Sequence, residues 1–540
     1  MTRHTFALSR ALGIFLGVFV ASGLASGQTD RTPLDDARDA AEQIRAALVG
    51  NKGGIEQQRS ALMLIAEAFR NYDPSTFLEG DVLARREREL ADTFRKILLA
   101  YEPPTGDAVT LALWLQAYGR LLPTPREAYP RLAPFLTEKP RFPPMVTREA
   151  ADAVANILNF NFRQLQRPLL LSADREADDP ARIKAEADEY LKQQGELTDR
   201  AGELFELAAH ACGYSDEETR RRGLRAIEGV VTVVQQRFTA PFVAPDRTRT
   251  GTESPAEARL IAYLLSQHFL NRLSEIAPSL KSGLSSPDPA TRLQASRTAS
   301  EIALLAARYR NLLSFAGRAP KDELAPAAKE LNPLLAILPD VIKRLTDPVP
   351  AVRLAAAEAA ESAGPRAWPN RAEVAAAAQD RDIFVRWVIA RALGRIVPED
   401  TSDVGVPLAG LIALLHDTDI DVRTSALVSL QHYGRRGVGA IDSVIENIVR
   451  GDVDVRVVAV DTLERIVGDE AKTRDVERAV AALADAVRNG DPRVQRQAAD
   501  ALGRLGPGAK AALPVLRQAQ SDLDSDLRRK ASKAILSIES

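Results

Sequence analysis

The chain is poor in the residues that most chemistry needs. Among 540 residues there is one cysteine, Cys212, and five histidines, and aromatic residues make up 5%. A single thiol excludes an intramolecular disulfide and any Cys-x-x-Cys metal or haem motif. None of His4, His210, His268, His416 and His432 lies in an HExxH arrangement, and no glycine-rich phosphate loop or serine nucleophile motif is present. The nearest histidine pair, His416 and His432, sits in a turn and at a helix end, too few ligands for a metal site. His210 and Cys212 are two residues apart on a helical run and point to different faces. Cys212 is therefore expected in a helical core. Charge of one sign is lacking too: 71 Lys and Arg against 73 Asp and Glu leave a formal charge of −2, mixed along the chain. A nucleic-acid binder would show a basic face. No catalytic residue, cofactor, metal or nucleic-acid partner is expected.

Only one long apolar run occurs, Ala11 to Ala25, preceded by Arg3, His4 and Arg10 and followed by Ser26 and Gly27. Residues 1–27 read as a secretory signal peptide with cleavage near Gly27. The alternative, a retained anchor, needs about 20 apolar residues to span a bilayer. This run is shorter and is interrupted by Gly13, Gly17 and Ser22, and no cysteine follows it for a lipid anchor. An exported protein, periplasmic or extracellular and without a later membrane span, is the expectation. Its stability must come from packed Leu, Ala, Val and Ile.

What is present is a repeat. In Leu408 to His416, Leu408, Leu411, Ile412 and Leu415 fall on one helical face. Asp417, Thr418 and Asp419 break that pattern with turn and cap formers. A second run follows with Val422, Ala426, Leu430 and Tyr433 on one face, and Gly434 stands where a left-handed C-cap belongs. One such hairpin cannot bury both apolar stripes, but a row of them can. Aligned on the turn, DPVPAVR, DRDIFVR, DTDIDVR, GDVDVR, GDPRVQ and DLDSDLR end at Arg353, Arg386, Arg423, Arg456, Gln495 and Arg528, at steps of 33, 37, 33, 39 and 33 residues. A seventh unit is read at Asp288 and Arg292.

The period suits ankyrin, tetratricopeptide and HEAT/armadillo repeats, and the residues separate them. Ankyrin's TPLH turn and the tetratricopeptide pattern of Trp, Gly and Tyr are missing, whereas DPRVQRQAADALG (Asp491 to Gly503) with the following LGPGAKAALPVL is very similar to the bacterial HEAT-repeat pattern. The resemblance is clear from Leu334 to Ser540. It implies an all-α superhelix, a solenoid of stacked antiparallel helix pairs, and a scaffold that binds protein partners rather than an enzyme. Some HEAT-like proteins use paired His-Glu dipeptides for di-iron chemistry, but no histidine here precedes a glutamate. Lyase-type HEAT proteins that handle bilins share only the fold. An enzyme-associated or lyase-like protein with a site in the N-terminal half is the alternative reading.

The organisation read is 1–27 signal peptide, 28–240 divergent helical repeats, 241–258 linker, 259–333 helical with one divergent unit, and 334–540 HEAT repeats. Asp35 to Leu48, Gln57 to Phe69 and Asp81 to Ala100 are predicted helices, Leu122 to Pro130 and Lys139 to Pro144 loops, and Ser172 to Arg182 an exposed acidic insertion. Asp216 and Arg220 faintly echo the later turns. Asp382, Asp419, Asp452, Asp491 and Asp524 are expected to cap second helices. The resemblance implies that each aligned Arg reaches the turn of an adjacent unit, with Gln495 the weaker rung.

On each second helix, positions +2 and +6 from the turn Val lie opposite the core. Down the stack these are Leu354 and Glu358, Trp387 and Arg391, Thr424 and Val428, Val457 and Asp461, Arg496 and Asp500, then Arg529 and Lys533. In HEAT-like solenoids second helices line the concave side, so from Trp387 onward this strip is the expected protein-binding face. Trp387 is its expected hot spot.

Overall fold

The computed structural model describes residues 32–50, 53–74, 82–137, 142–164, 202–239, 273, 276–315, 336–468 and 473–540. The signal segment, the acidic insertion and the 241–258 linker lie outside them. Among the described residues there is no strand. The chain divides into two compact units, Met1–Ser279 and Leu280–Ser540.

In the first unit the helices are α1 (Pro33–Asp39), α2 (Ala41–Leu48), α3 (Ile55–Ala68), α4 (Val82–Ala100), α5 (Ala108–Arg120), α6 (Pro125–Leu136), α7 (Pro144–Gln164), α8 (202–212) and α9 (Glu217–Thr239). The first predicted helix is thus split at Ala40, and the stretch 122–130, expected as a loop, instead holds the start of α6. Proline misled there. Pro125 occupies the first turn, where its missing N–H costs nothing. Thr124 and Glu127 close a capping box: Thr124 Oγ1 accepts from Glu127 N, and a Glu127 carboxylate oxygen accepts from Thr124 N at 3.0 Å. Pro130 and Pro134 are then carried inside the helix. The core is built on aromatics: Trp114 and Tyr118 are stacked at 5.1 Å, and Trp114 Nε1 donates to Leu98 O. Cys212 is buried, as expected, and burial pushes its thiol well above the ordinary range.

The second unit is a two-layer stack. After α10 (Ala277–Leu284) and α11 (Pro289–Phe315) come α12 (Leu338–Ile342), α13 (Pro350–Ala363), α14 (Arg371–Ala376), α15 (Ile383–Arg395), α16 (Gly405–Leu414), α17 (Ile420–Gln431), α18 (Ile441–Arg450), α19 (Val453–Val467), α20 (Thr473–Asn489), α21 (Pro492–Arg504), α22 (Leu513–Ala519) and α23 (Ser525–Glu539). Each predicted turn joins an antiparallel pair. Second helices α11, α13, α15, α17, α19, α21 and α23 each pack on the next, forming one layer. Small residues let them approach: a Cβ on Gly394 would fall 2.7 Å from Ser429 Cβ, and one on Gly503 would fall 3.0 Å from Ala534 Cα. Several second helices end at a glycine of positive φ. Gly364 (φ 56°, ψ −134°) and Gly468 (φ 57°, ψ −177°) occupy a region essentially closed to other residues.

Val422, Ala426, Leu430 and Tyr433 are all buried, and Tyr433 Oη donates to Leu393 O of the preceding unit at 2.7 Å. Val422→Asp places an unpaired charge in that core and should cost about 3–5 kcal/mol in chemical denaturation. Because repeats are coupled to their nearest neighbours, hydrogen exchange should show protection lost in α17 and, spreading from it, in α15 and α19 before more distant helices. Loss confined to α17 would contradict this coupling.

Candidate functional site

Two features recur along the second unit: a ladder of charges at the turns and a strip of side chains on the second helices. The ladder begins with caps. Asp382 accepts from Phe384 N, Asp419 from Asp421 N and Val422 N, Asp491 from Arg493 N, and Asp524 from Asp526 N and Leu527 N. Asp452 makes no such cap bond, contrary to expectation; it serves as an acceptor for Arg423 instead.

The arginines do reach across. Arg292 forks onto Asp347 (2.7 and 3.1 Å), Arg353 onto Asp380 (2.7 and 2.9 Å) and Arg386 onto Asp417 (2.6 and 3.0 Å). The acceptor is the first aspartate of the next turn, six residues before its own arginine, a role the sequence reading did not assign. The seventh unit, at Asp288 and Arg292, joins the row. Each guanidinium also turns back: Arg386 Nη1 donates to Asp380 O at 2.9 Å and Arg423 Nη1 to Asp417 O at 2.8 Å. One arginine therefore ties its own turn to the next one.

The weak rung is not at Gln495. Arg456 donates to Ile448 O within its own hairpin, and the position six residues before Gln495, where an acceptor aspartate stands in the earlier turns, is Asn489. Arg496 substitutes for Gln495 and reaches Asp524 at 2.5 Å. The first unit repeats the device at longer spacing: Arg59 holds Asp107 through two contacts of 3.0 Å, and Arg148 holds Asp216 at 2.9 and 2.6 Å. Both aspartates also cap a helix.

Burial alone would raise the Asp417 carboxyl, whose side chain is 6% exposed. The bonds from Arg386 and from Asp419 N outweigh that and hold it below the ordinary carboxylate range. Asp347 and Asp380 are lowered by the same balance. Asp216 is lowered further, first by its Arg148 bonds.

The strip lies outside the core along its whole length. Leu354, Trp387, Arg391, Thr424, Val457, Asp461, Arg496 and Asp500 are half-buried, and Glu358, Val428, Arg529 and Lys533 are exposed. Several of its polar members are engaged within the stack. Arg391 forks onto buried Glu361 of α13, which also takes Arg395, and its guanidinium lies 4.1 Å from the Trp387 ring centroid. Asp461 accepts from Arg504 at 2.9 Å, Asp500 from Lys530 at 3.4 Å, and Arg496 is a ladder member. The reading missed Phe384, which is 63% exposed. Phe384, Trp387 and Arg391 share one helical face at i, i+3 and i+7, the spacing that would have signalled it.

In the first unit, Arg222 gathers Glu149, Asp152 and Glu218 at 3.2, 2.7 and 2.9 Å. Burial holds Asp152 above its ordinary value. Through Glu149 and Asp152 this guanidinium staples α7 to α9. His416 Nε2 lies 3.2 Å from Ser443 Oγ. Among the described residues no group of three or more His, Cys, Asp and Glu is placed to hold a metal, and no helix is long and apolar enough to cross a membrane.

The family model for HEAT repeats matches residues 338–431 and 441–536. No curated protein matches. Among solved structures, the chain is similar to a designed armadillo repeat protein in complex with the peptide (KR)4, at 16% identity over 48% of this chain and 99% of that one (TM-score 0.28). A computationally designed armadillo repeat protein for modular peptide recognition gives 17% identity, the same coverage and a TM-score of 0.28. A chain from the structure of Kap95p binding to RanGDP gives 13% identity over 95% of this chain and 65% of that one, with a TM-score of 0.37.

Asp417→Asn should cost about 2 kcal/mol at neutral pH, because Arg386 loses its counter-charge while staying mostly buried. A carboxylate with a depressed folded pKa contributes stability above its unfolded value, about 3.9, and loses it as pH falls through the folded value. The stability gap between wild type and variant should therefore be flat above about pH 5 and close toward pH 2. Urea denaturation across that range checks it; a gap that widens in acid would contradict the assignment.

Proposed function

We propose that this chain, whose residues 338–431 and 441–536 are HEAT repeats, is an exported, non-catalytic scaffold that binds protein partners along its second-helix strip. The observation that carries this reading is the ridge of Phe384, Trp387 and Arg391. A large aromatic left 63% exposed on a regular stack, beside a half-buried indole, serves no packing need of the stack itself. Tryptophan and arginine are also the side chains most enriched where binding energy concentrates. Close approach of second helices at Gly394 and Gly503 favours curvature toward that layer, which would make it the concave side. Export rests on the charge and length pattern of residues 1–27.

Trp387→Ala should weaken partner binding by about 2 kcal/mol or more. The Arg391 stack it removes contributes roughly 1 kcal/mol at most, so the melting temperature should fall by only about 2–4 °C. A photo-crosslinking residue at exposed Val428, on the second-helix layer, should capture a partner from envelope or secreted fractions. The same residue at Val449, exposed on first helix α18, should not. Capture at Val449 alone, or a variant at Trp387 that melts early with binding intact, would overturn the reading.

A further inference from the structure

The strip changes chemistry along its length, and the change defines what fits it; this inference rests on the scaffold reading above. At the α15–α17 end it is apolar: Phe384 is 63% and Val428 43% exposed, with Trp387 half-buried under the Arg391 guanidinium. The cations there are already committed, since both Arg391 and Arg395 are bound to Glu361. The α21–α23 end is basic. Helices Pro492–Arg504 and Ser525–Glu539 carry seven Lys and Arg against three Asp and Glu. On α23, Lys533 is exposed and makes no ion pair among the described residues, and Arg529 has only an exposed partner, Asp526 at 2.8 Å. Such an exposed pair is weak and readily exchanged for a better one.

The two ends are separated by four helix-to-helix steps of about 8–10 Å each, roughly 35–40 Å in all. An extended chain covers that in about 11 residues, whereas a helix would need about 25. We propose that the strip takes an extended protein segment that seats a bulky apolar side chain on Phe384 and Trp387. About 11 residues away, in either chain direction, the segment lays acidic side chains over Arg529 and Lys533. The apolar anchor supplies burial and the acidic end supplies register and salt dependence.

Fluorescein-labelled peptides of about 16 residues, long enough only if extended, test this on the full chain by anisotropy. One carries a Phe-Leu-Trp cluster at one end, a Gly-Ser spacer and a Glu tract at the other; a second replaces Glu with Lys; a third replaces the apolar cluster with Ser. The first should bind, and the other two should bind at least about tenfold more weakly. Trp387→Ala, and separately the pair Arg529→Glu with Lys533→Glu, should each weaken the first probe by about tenfold or more, with the melting temperature lowered by no more than about 4 °C. About 0.5 M salt should abolish the preference for Glu over Lys. Equal or tighter binding of the Lys probe, or binding of the Glu probe that ignores Trp387→Ala, overturns the proposal. If the Val428 cross-linker captures a partner while no probe binds, this inference alone falls; if neither captures anything, the scaffold reading falls with it.

Discussion

Arg386 forks onto Asp417 with N···O distances of 2.6 and 3.0 Å while its remaining nitrogen donates to the carbonyls of Asp380 and Arg381. Three acceptor groups on two successive turns are thus engaged by one planar side chain, in a fork that lysine's point charge does not reproduce. Buried ion pairs can often be replaced by apolar side chains without loss of stability, so gross stability is the lesser part of this contact. Its consequence is register. A stack of Ala-, Val- and Leu-rich helices can slide by a turn at little hydrophobic cost, whereas a bidentate fork has one geometry. With register fixed, the strip positions of successive second helices lie side by side.

The ladder also has a gap, and its cause is local. Between α19 and α21 the turn is Gly490-Asp491, whose aspartate caps α21, and Arg456 donates instead to Ile448 O. Packing of α19 on α21 continues without it, helped by Arg504, which reaches both Asp461 and Glu464 at the other end of the helices. Cross-repeat charge has moved from the turns to the helix C-terminal ends. There, Glu361 with Arg391 and Arg395 does the same for α13 and α15.

Much of the fold was legible because a stack repeats its physics. Turn aspartates, the valine that follows and the closing glycine mark each hairpin, and the period alone places the pairs. The cap role of Asp382 or Asp419 could be read locally, since a cap bonds its own helix. The acceptor role of Asp347, Asp380 and Asp417 could not, although the residues align, because it concerns a neighbour about thirty residues away whose distance only packing sets. In the first unit no period exists to suggest that Arg59 meets Asp107 or Arg148 meets Asp216. The proline-rich stretch at 122–130 reads as a loop from its prolines alone, whereas the Thr124–Glu127 box starts α6 there. The strip was correctly placed outside the core from helical geometry. Phe384 escaped that reading, which sampled two positions per helix where the exposed face has three, and nothing in sequence shows that Asp461 and Asp500 are already engaged by neighbours.

The central claim is that a carboxylate and a guanidinium one repeat apart act as a unit, and a double-mutant cycle on Arg353 and Asp380 measures it directly. Arg353→Met, Asp380→Asn and the double variant, compared with wild type by urea denaturation, should give a coupling energy of about 1–3 kcal/mol. The double variant should then be little worse than either single one. A coupling within about 0.3 kcal/mol of zero, with the two losses simply adding, would show that the ladder is an ornament of the stack and not what sets its register.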